Sequence, residues 1–166
     1  VDSSNEQVDL AHKLGIQSAI NYDLEEYLRS LSNNSVDVVL MMDVLEHFSR
    51  QKIFELIGKV HDVLNQSGTL IIHVPNSEGI FGSRIRYSDL THEISFTPVS
   101  IRQLLKIEGF KDVQIVEDKP VIHGLFSFTR RILWFVLTLY PRLLFLSETG
   151  QKKSILSQNM LIIANK

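Results

Sequence analysis

A chain of 166 residues, 44% of them hydrophobic and 22% charged, has the size and composition of a single globular domain. Its formal net charge of -2 provides no electrostatic basis for a nucleic-acid partner, and none is expected. The absence of cysteine excludes disulfides, thiolate metal sites and cysteine nucleophiles.

The first thirty residues alternate strand and helix signals. The first two residues are typical of the end of a strand, and the next four provide capping residues for a helix that should run to Leu14. A short strand is predicted at residues 18–21. A short helix is predicted at residues 24–31, where leucine and tyrosine recur at helical spacing.

The most informative stretch is the apolar run from Val36 to Met42. A β-branched run of this length is typical of a strand buried on both faces. It leads directly into Asp43, Glu46 and His47, whose spacing would place all three on one face of a helical turn. Polar groups just beyond the carboxyl end of a buried parallel strand lie where open α/β sheets bind ligands.

The remainder of the chain continues the alternation of helices and strands. A helix capped by Ser49, with Phe54 among its inward-facing residues, should stop near Gly68 and be followed by a strand at residues 69–74. An irregular loop at residues 76–89 precedes a helix at 99–108 and strands at 113–116 and 159–164. This alternation predicts an α/β domain with a mostly parallel sheet.

Two segments carry a resemblance to a known family: Val36 to His47, ending in Val-Leu-Glu-His, and Leu64 to Asn76, with its Gly68 and its Pro-Asn ending. In order and spacing they resemble the middle motifs of class I S-adenosylmethionine-dependent methyltransferases. The resemblance runs from Val1 to about Phe110. It implies a Rossmann-like fold of strand order 3-2-1-4-5-7-6 with an antiparallel last strand.

The family's first strand and its glycine-rich loop have no counterpart in this sequence. We therefore expect an N-terminally truncated methyltransferase domain that lacks both and that, by itself, binds the cofactor poorly and is inactive. Residues 1–166 would form a single domain. Residues 117–158 are predicted to be an apolar helical cap inserted between the last two strands.

The resemblance also implies a set of residues that bind S-adenosylmethionine. Asp2 corresponds to the acidic residue that accepts hydrogen bonds from the ribose hydroxyls, and Asp23 to the one that accepts from the adenine amino group, with Leu24 packed on the ring. The same two aspartates equally suit helix capping without any ligand. The other predicted cofactor contacts come from Ser3, Met42, Asp43 and His47.

Asp43, Glu46, His47 and His92 resemble the two carboxylates and two imidazoles of metal-assisted O-methyltransferases. Such a set suits Mg²⁺, Mn²⁺ or Zn²⁺. In the simpler alternative, the turn after the Val36–Met42 strand only lines the cofactor pocket.

If no metal binds, His47 or His92 is the candidate general base, because imidazole titrates near neutral pH. His92 has a structural alternative, which is to anchor its loop through Asp89 or Thr91. Arg84 and Arg86 are candidates for binding an anionic group of the substrate or are ordinary surface charges.

The function that the resemblance implies is methyl transfer from S-adenosylmethionine to a small-molecule acceptor, most simply to a hydroxyl oxygen. Two alternatives remain. One is a non-catalytic Rossmann-like module, and the other is a different nucleotide-cofactor enzyme, such as a nicotinamide-dependent oxidoreductase. A cytoplasmic location, in solution or peripheral to a membrane, is expected.

Residues 126–146 are dense in Phe, Leu, Trp and Ile and begin close to the pair Arg130-Arg131. A membrane-spanning helix is not expected, because Pro141 and Arg142 interrupt the run. Three alternatives remain: the segment covers the active site and packs on the edge of the sheet, makes peripheral contact with a membrane, or binds an apolar or lipid-linked acceptor.

Overall fold

The computed structural model describes residues 1–166 and contains one open sheet of four strands. The sheet order is β1-β2-β4-β3, in which β2 pairs parallel with β1 and antiparallel with β4, and β4 pairs antiparallel with β3. If these four strands are numbered as the fourth to seventh strands of the expected fold, their order is 4-5-7-6. The strands are β1 (Val36–Met42), β2 (Leu64–Pro75), β3 (Lys111–Glu117) and β4 (Asn159–Asn165).

The predicted α/β class and Rossmann-like topology are confirmed, but the sheet is less parallel than expected. Only the β1–β2 ladder is parallel, because β4 lies between β2 and β3 and runs against both. The strand signals at the start of the chain correspond to one isolated parallel bridge, between Asp2 and Asn21, which makes no ladder with β1.

The prediction that β1 is buried on both faces is wrong. Met41 is buried, whereas the side chains on the opposite face, Val38 and Leu40, are 55% and 60% exposed. No element of the described chain packs on that face, so only one side of the strand faces the core. The core itself forms around β2 and β4, where Leu70, Ile72 and Ile162 are fully buried against helices of the same face.

Local sequence signals position most of the helices. Thr97 and Ser100 form a reciprocal capping box around Pro98, and Ser4 caps the first helix. The helix after Ser49 ends at Val63 rather than near Gly68, and its Phe54, expected to face inward, is 38% exposed. The helices are α1 (Asn5–Lys13), α2 (Leu24–Ser30), α3 (Arg50–Val63), α4 (Gly82–Arg86), α5 (Pro98–Ile107) and α6 (Leu125–Thr149).

The long helix α6 corrects the expectation that Pro141 and Arg142 interrupt the apolar run. The helix continues through both residues to Thr149. A proline removes one helical hydrogen bond without necessarily ending the helix, and Arg142 finds partners in Glu117 and Ser154. By length and composition alone, α6 is long and apolar enough to cross a membrane.

Candidate active site

The turn after β1 differs from the predicted helical turn. Asp43 adopts a left-handed backbone conformation with φ 52°, which aspartate tolerates better than most residues. Its N–H donates to the carbonyl of His73 on β2 (3.0 Å), and its carboxylate lies 2.8 Å from the His73 ring Nδ1. A single 3₁₀ turn, Leu45–His47, then follows. Asp43 therefore does not share a face with Glu46 and His47, as the spacing had suggested.

Glu46, His47 and His92 form the tightest group of candidate site residues. One ligand atom from each lies within 4.8 Å of the others, and the two imidazole rings are 4.9 Å apart at an interplanar angle of 64°. Glu46 Oε2 and His92 Nδ1 are buried and have no hydrogen-bond partner. Unpaired buried polar atoms are costly, so these two atoms mark the cluster as a place where a ligand would add stability.

The loop that carries His92 is held against the turn by backbone hydrogen bonds. The Glu46 carbonyl accepts from the N–H groups of Glu93 (2.8 Å) and Ile94 (3.2 Å). The Arg86 guanidinium donates to the carbonyls of His92 and Glu93. Arg86 therefore positions this loop and is not free to bind an anionic group of the substrate. Arg84, the other arginine considered for that role, is exposed.

A chain of side chains fixes the hydrogen bonding of His47. The Thr91 hydroxyl donates to Asp89 (2.7 Å) and lies 2.9 Å from His47 Nδ1. A hydroxyl has one proton, so Thr91 must accept from His47, which places the proton of the neutral ring on Nδ1. His47 Nε2 then carries the free lone pair. The Thr91 hydrogen bonds, from hydroxyl and backbone, lower the pKa of Asp89 and keep its carboxylate charged.

Glu46 is the titratable group most changed by this environment. Burial raises its pKa to about 7, and the negative charge of Asp43 adds to that effect. A backbone hydrogen bond and the nearby imidazoles of His92 and His73 oppose the rise. Near neutral pH, Glu46 is therefore balanced between its carboxylic acid and carboxylate forms.

The aspartates predicted to bind the cofactor both accept backbone hydrogen bonds near a helix start: Asp23 is the N-cap of α2, and Asp2 lies two residues before Ser4, the N-cap of α1. Asp2 Oδ1 accepts from the N–H of Ser4 (2.7 Å), and Asp23 Oδ1 accepts from the N–H of Glu26 (3.0 Å) at the start of α2. The bridge between Asp2 and Asn21 brings the two aspartates to the same edge. Ser3 and Met42 are exposed, and Leu24 packs against the core. The ribose and adenine roles stay predictions.

The larger cavities lie away from these residues. A cavity of about 990 Å³ is lined by α5, β3 and the segment after α6, and one of about 470 Å³ lies between α3 and α5. None of the predicted catalytic, cofactor or metal residues lines either cavity. The candidate site is therefore an open edge at the carboxyl end of β1 and not an enclosed pocket.

Two residues gain roles that sequence reasoning did not assign. The His73 ring lies between Asp43 and Asp118, with Nε2 3.5 Å from the Asp118 carboxylate, and no sequence pattern pointed to it. Asn76 is fully buried and donates to the carbonyls of Ile155 (2.8 Å) and Ser157 (3.0 Å). Its place in the Pro-Asn motif was the signal, because it anchors the loop after β2 to the segment that leads into β4.

Comparison with known proteins supports this fold. Residues 1–72 match the family model described as a methyltransferase domain, and no curated protein matches the chain. The chain is similar to a solved S-adenosylmethionine-dependent methyltransferase from Archaeoglobus fulgidus with a TM-score of 0.63 at 23% identity, covering 89% of this chain and 66% of that one.

Two further solved structures, both of S-adenosylmethionine-dependent methyltransferases, match over 99% of this chain. The protein from Thermotoga maritima has a TM-score of 0.64 at 13% identity, and the match covers 70% of its length. The protein from Mesorhizobium loti has a TM-score of 0.60 at 14% identity, and the match covers 78% of its length. This chain thus spans 66 to 78% of the length of the three solved proteins, and the predicted fold is confirmed.

Proposed function

We propose that this chain transfers a methyl group from S-adenosylmethionine to a hydroxyl oxygen of a small molecule. The match of residues 1–72 to a methyltransferase-domain model and the similarity of its fold to solved S-adenosylmethionine-dependent methyltransferases support the reaction type. The observation that carries the proposal is the cluster of Glu46, His47 and His92 at the carboxyl end of β1. A hydroxyl acceptor must lose a proton as its oxygen is methylated, and this cluster provides a place for that proton.

His47 is the group that we assign as general base. Its Nδ1 is engaged by Thr91, so Nε2 is free to accept the acceptor's proton. S-adenosylmethionine, when bound, supplies an electrophilic methyl group on a sulfonium and leaves as a neutral thioether. His92 packs edge-on against His47 and restricts the orientation of its ring. Alignment of the acceptor is the main requirement of such a reaction, and this arrangement contributes to it.

Asp2 and Asp23 fit the proposed cofactor roles. Each accepts its backbone hydrogen bond through Oδ1 alone, which leaves the second carboxylate oxygen available to accept from hydroxyl or amino groups. Both are exposed at the edge that the Asp2–Asn21 bridge creates. We infer that they hold the ribose and the adenine, with Leu24, Ser3, Met42 and Asp43 beside them.

A divalent ion is the second candidate occupant of the cluster. Glu46, His47 and His92 fit one, because their ligand atoms lie within 4.8 Å of one another and two of the residues have unpaired buried atoms. The set of one carboxylate and two imidazoles suits Zn²⁺ or Mn²⁺ better than Mg²⁺, which prefers oxygen ligands. An ion bound there would lower the pKa of a hydroxyl acceptor. Asp43 is not part of this set, because only Glu46, His47 and His92 have ligand atoms within 4.8 Å of one another, and Asp43 Oδ1 instead lies 2.8 Å from His73 Nδ1.

The methyl-transfer proposal is tested with methyl-labelled S-adenosylmethionine and matched acceptors that differ in one atom, such as a catechol and the corresponding aminophenol. We expect label on the hydroxyl oxygen, and about tenfold weaker cofactor binding in Asp2→Asn, because one hydrogen-bonded pair is lost. Asp9→Asn, on the solvent-exposed side of α1, should bind as wild type does. Label found only on nitrogen would contradict the hydroxyl assignment.

The metal alternative is tested by titrating Mn²⁺ or Zn²⁺ into the protein in a calorimeter. If an ion binds at the cluster, Glu46→Gln and His92→Ala each lose one of three ligands and should bind it at least about tenfold more weakly. Glu93→Gln is the matched control, because its side chain is exposed beside the same loop. Equal affinities in all four proteins would remove the metal candidate and leave His47 as the base.

A further inference from the structure

We propose that α6 lies in the plane of an anionic phospholipid membrane, with its outward apolar face inserted between the lipids. The proposal concerns where the chain docks, and it goes beyond methyl transfer without depending on it. It rests on the polarity of the two faces of α6, on the charge of the chain around the helix and on the contacts that hold the helix to the domain.

The polarity of α6 is inverted relative to a helix of a water-soluble domain. Seven residues of α6 face the domain at helical spacing, and four of them are polar or cationic: Ser127, Arg131, Trp134, Thr138, Pro141, Arg142 and Phe145. The outward face is apolar, with side chains 49 to 73% exposed at Leu133, Phe135, Val136, Leu137, Leu139 and Tyr140. A helix that packs on a domain normally presents the opposite arrangement.

The apolar face is too large to be an ordinary exposed patch. Thirteen large hydrophobic residues between Leu125 and Leu146 are at least 38% exposed. Their combined exposed area is on the order of 1,000 Å², above the few hundred Å² that monomeric proteins usually leave uncovered. A surface of this size indicates a partner or a lipid phase.

The charge around α6 favours anionic lipid as the occupant. No aspartate or glutamate occurs between Asp118 and Glu148, whereas Arg130 lies within the helix and Lys152 and Lys153 follow its end after two intervening residues. The cavity of about 990 Å³ beside the helix is lined by six lysines and arginines and only two glutamates. Cations that border an apolar face suit phosphate headgroups around an inserted helix.

The same charges disfavour pairing of two copies through α6. A twofold interface buries one surface patch against the same patch of the other copy, so the apolar face and its bordering cations would meet a surface of the same composition. The apolar segment offers no carboxylate to neutralise them. Lipid phosphates can surround these cations, whereas a second copy of the chain would repel them.

Side-on contacts fix α6 along the domain and therefore favour an in-plane orientation. Arg131 donates to the carbonyl of Pro120 (3.3 Å), and Arg142 donates to the carbonyl of Ser154 (2.7 Å) and to the carboxylate of Glu117 (2.5 Å). The two arginines are separated by about 16 Å along the helix. A helix bound along that length cannot cross a bilayer without breaking these polar contacts inside the hydrocarbon, which is costly.

The first test is co-sedimentation of the full chain with vesicles of phosphatidylcholine, alone or with about one-third phosphatidylglycerol. We expect binding to both, and much tighter binding to the anionic vesicles. The double variant Phe135→Gln/Leu137→Gln should bind about a hundredfold more weakly. The control Leu10→Gln/Leu14→Gln changes two exposed leucines on and after α1 and should bind as wild type does. Failure of the wild type to bind any vesicle would overturn the proposal, and a lipid-free dimer in its place would identify α6 as an interface between copies.

The contribution of the lysines after α6 to membrane binding is tested separately from the depth at which the helix inserts. Lys152→Glu/Lys153→Glu should lower affinity for the anionic vesicles about thirtyfold or more, whereas Lys13→Glu/Arg29→Glu, with the same change in net charge, should have little effect.

The depth of insertion is measured by tryptophan fluorescence. Trp134 is the chain's single tryptophan, so Trp134→Phe/Leu137→Trp moves the fluorophore to the outward face. An in-plane helix gives strongest quenching by shallow nitroxide lipids. Strongest quenching by deep nitroxides would mean that α6 spans the membrane. For the charge variants, equal losses of affinity in both would overturn the assignment of anionic lipid as the partner of α6.

Discussion

His47→Ala is expected to lower kcat for methyl transfer to a hydroxyl acceptor by about 10²- to 10⁴-fold, the usual contribution of a general base. The physical reason is the direction of the hydrogen bonds in the site. Thr91 gives its only proton to Asp89 and accepts from His47 Nδ1, so Nε2 is the available base. Without this ring, the proton of the acceptor must pass to water. Labelled-methyl transfer at saturating cofactor measures the change.

Thr91 provides the test of that assignment, because it acts on His47 without touching the acceptor. Thr91→Val removes the oxygen that receives the Nδ1 proton, so kcat should fall about tenfold, while Thr91→Ser keeps the hydroxyl and should restore the rate. His123→Ala is the matched control, since that histidine is exposed and far from the cluster in the chain. A His47→Ala enzyme that keeps its rate within about threefold would show that His47 is not the base.

The sequence was sufficient to predict the elements whose signals are local. The helix predicted at residues 99–108 follows from Pro98, which suits a first turn, and the structure places it at Pro98–Ile107. The Val36–Met42 strand and the acidic turn after it were likewise evident from one apolar run followed by polar residues. The strand order followed from the family motifs, because those motifs have a fixed order in the sheet.

The arrangement around Asp43 could not be predicted, because it depends on a neighbour that the sheet provides. Helical spacing suggested one face for Asp43, Glu46 and His47. Pairing of β1 with β2 instead places His73 where it binds both the N–H and the carboxylate of Asp43. These two hydrogen bonds stabilise the left-handed conformation, so tertiary contacts override the local pattern.

The continuity and position of α6 likewise could not be predicted from the local sequence. Pro141 and Arg142 are reasonable signs of a break when only the helix is considered. In the fold, Arg142 pairs with Glu117 from the end of β3. Burial alone would raise the pKa of Glu117, but hydrogen bonds from Leu156, Arg142 and Lys119 outweigh it and lower the pKa. A charged residue that the sequence marks as an interruption is thus a contact that holds the helix to the sheet.

The raised pKa of Glu46 predicts how the free energy of unfolding depends on pH. Its pKa rises from an ordinary 4.5 in the unfolded chain to about 7 in the fold. Between these values the native state binds more protons than the unfolded state, so the free energy of unfolding falls as pH rises. The fall amounts to about 3 kcal/mol once the pH exceeds 7. Urea unfolding at a series of pH values, with a chelator present, measures it.

Glu46→Gln removes the titration while keeping the shape of the side chain, so it isolates this contribution. Below pH 4.5, where Glu46 is protonated in both states, variant and wild type should be equally stable to within about 1 kcal/mol. Above pH 7 the variant should be the more stable by up to about 3 kcal/mol, because no charge is buried. Glu55→Gln, an exposed carboxylate on α3, should follow the wild type at every pH. If Glu46→Gln and wild type show parallel pH profiles, Glu46 is ionised in the fold as readily as in water, and the cluster is more open to solvent than its burial implies.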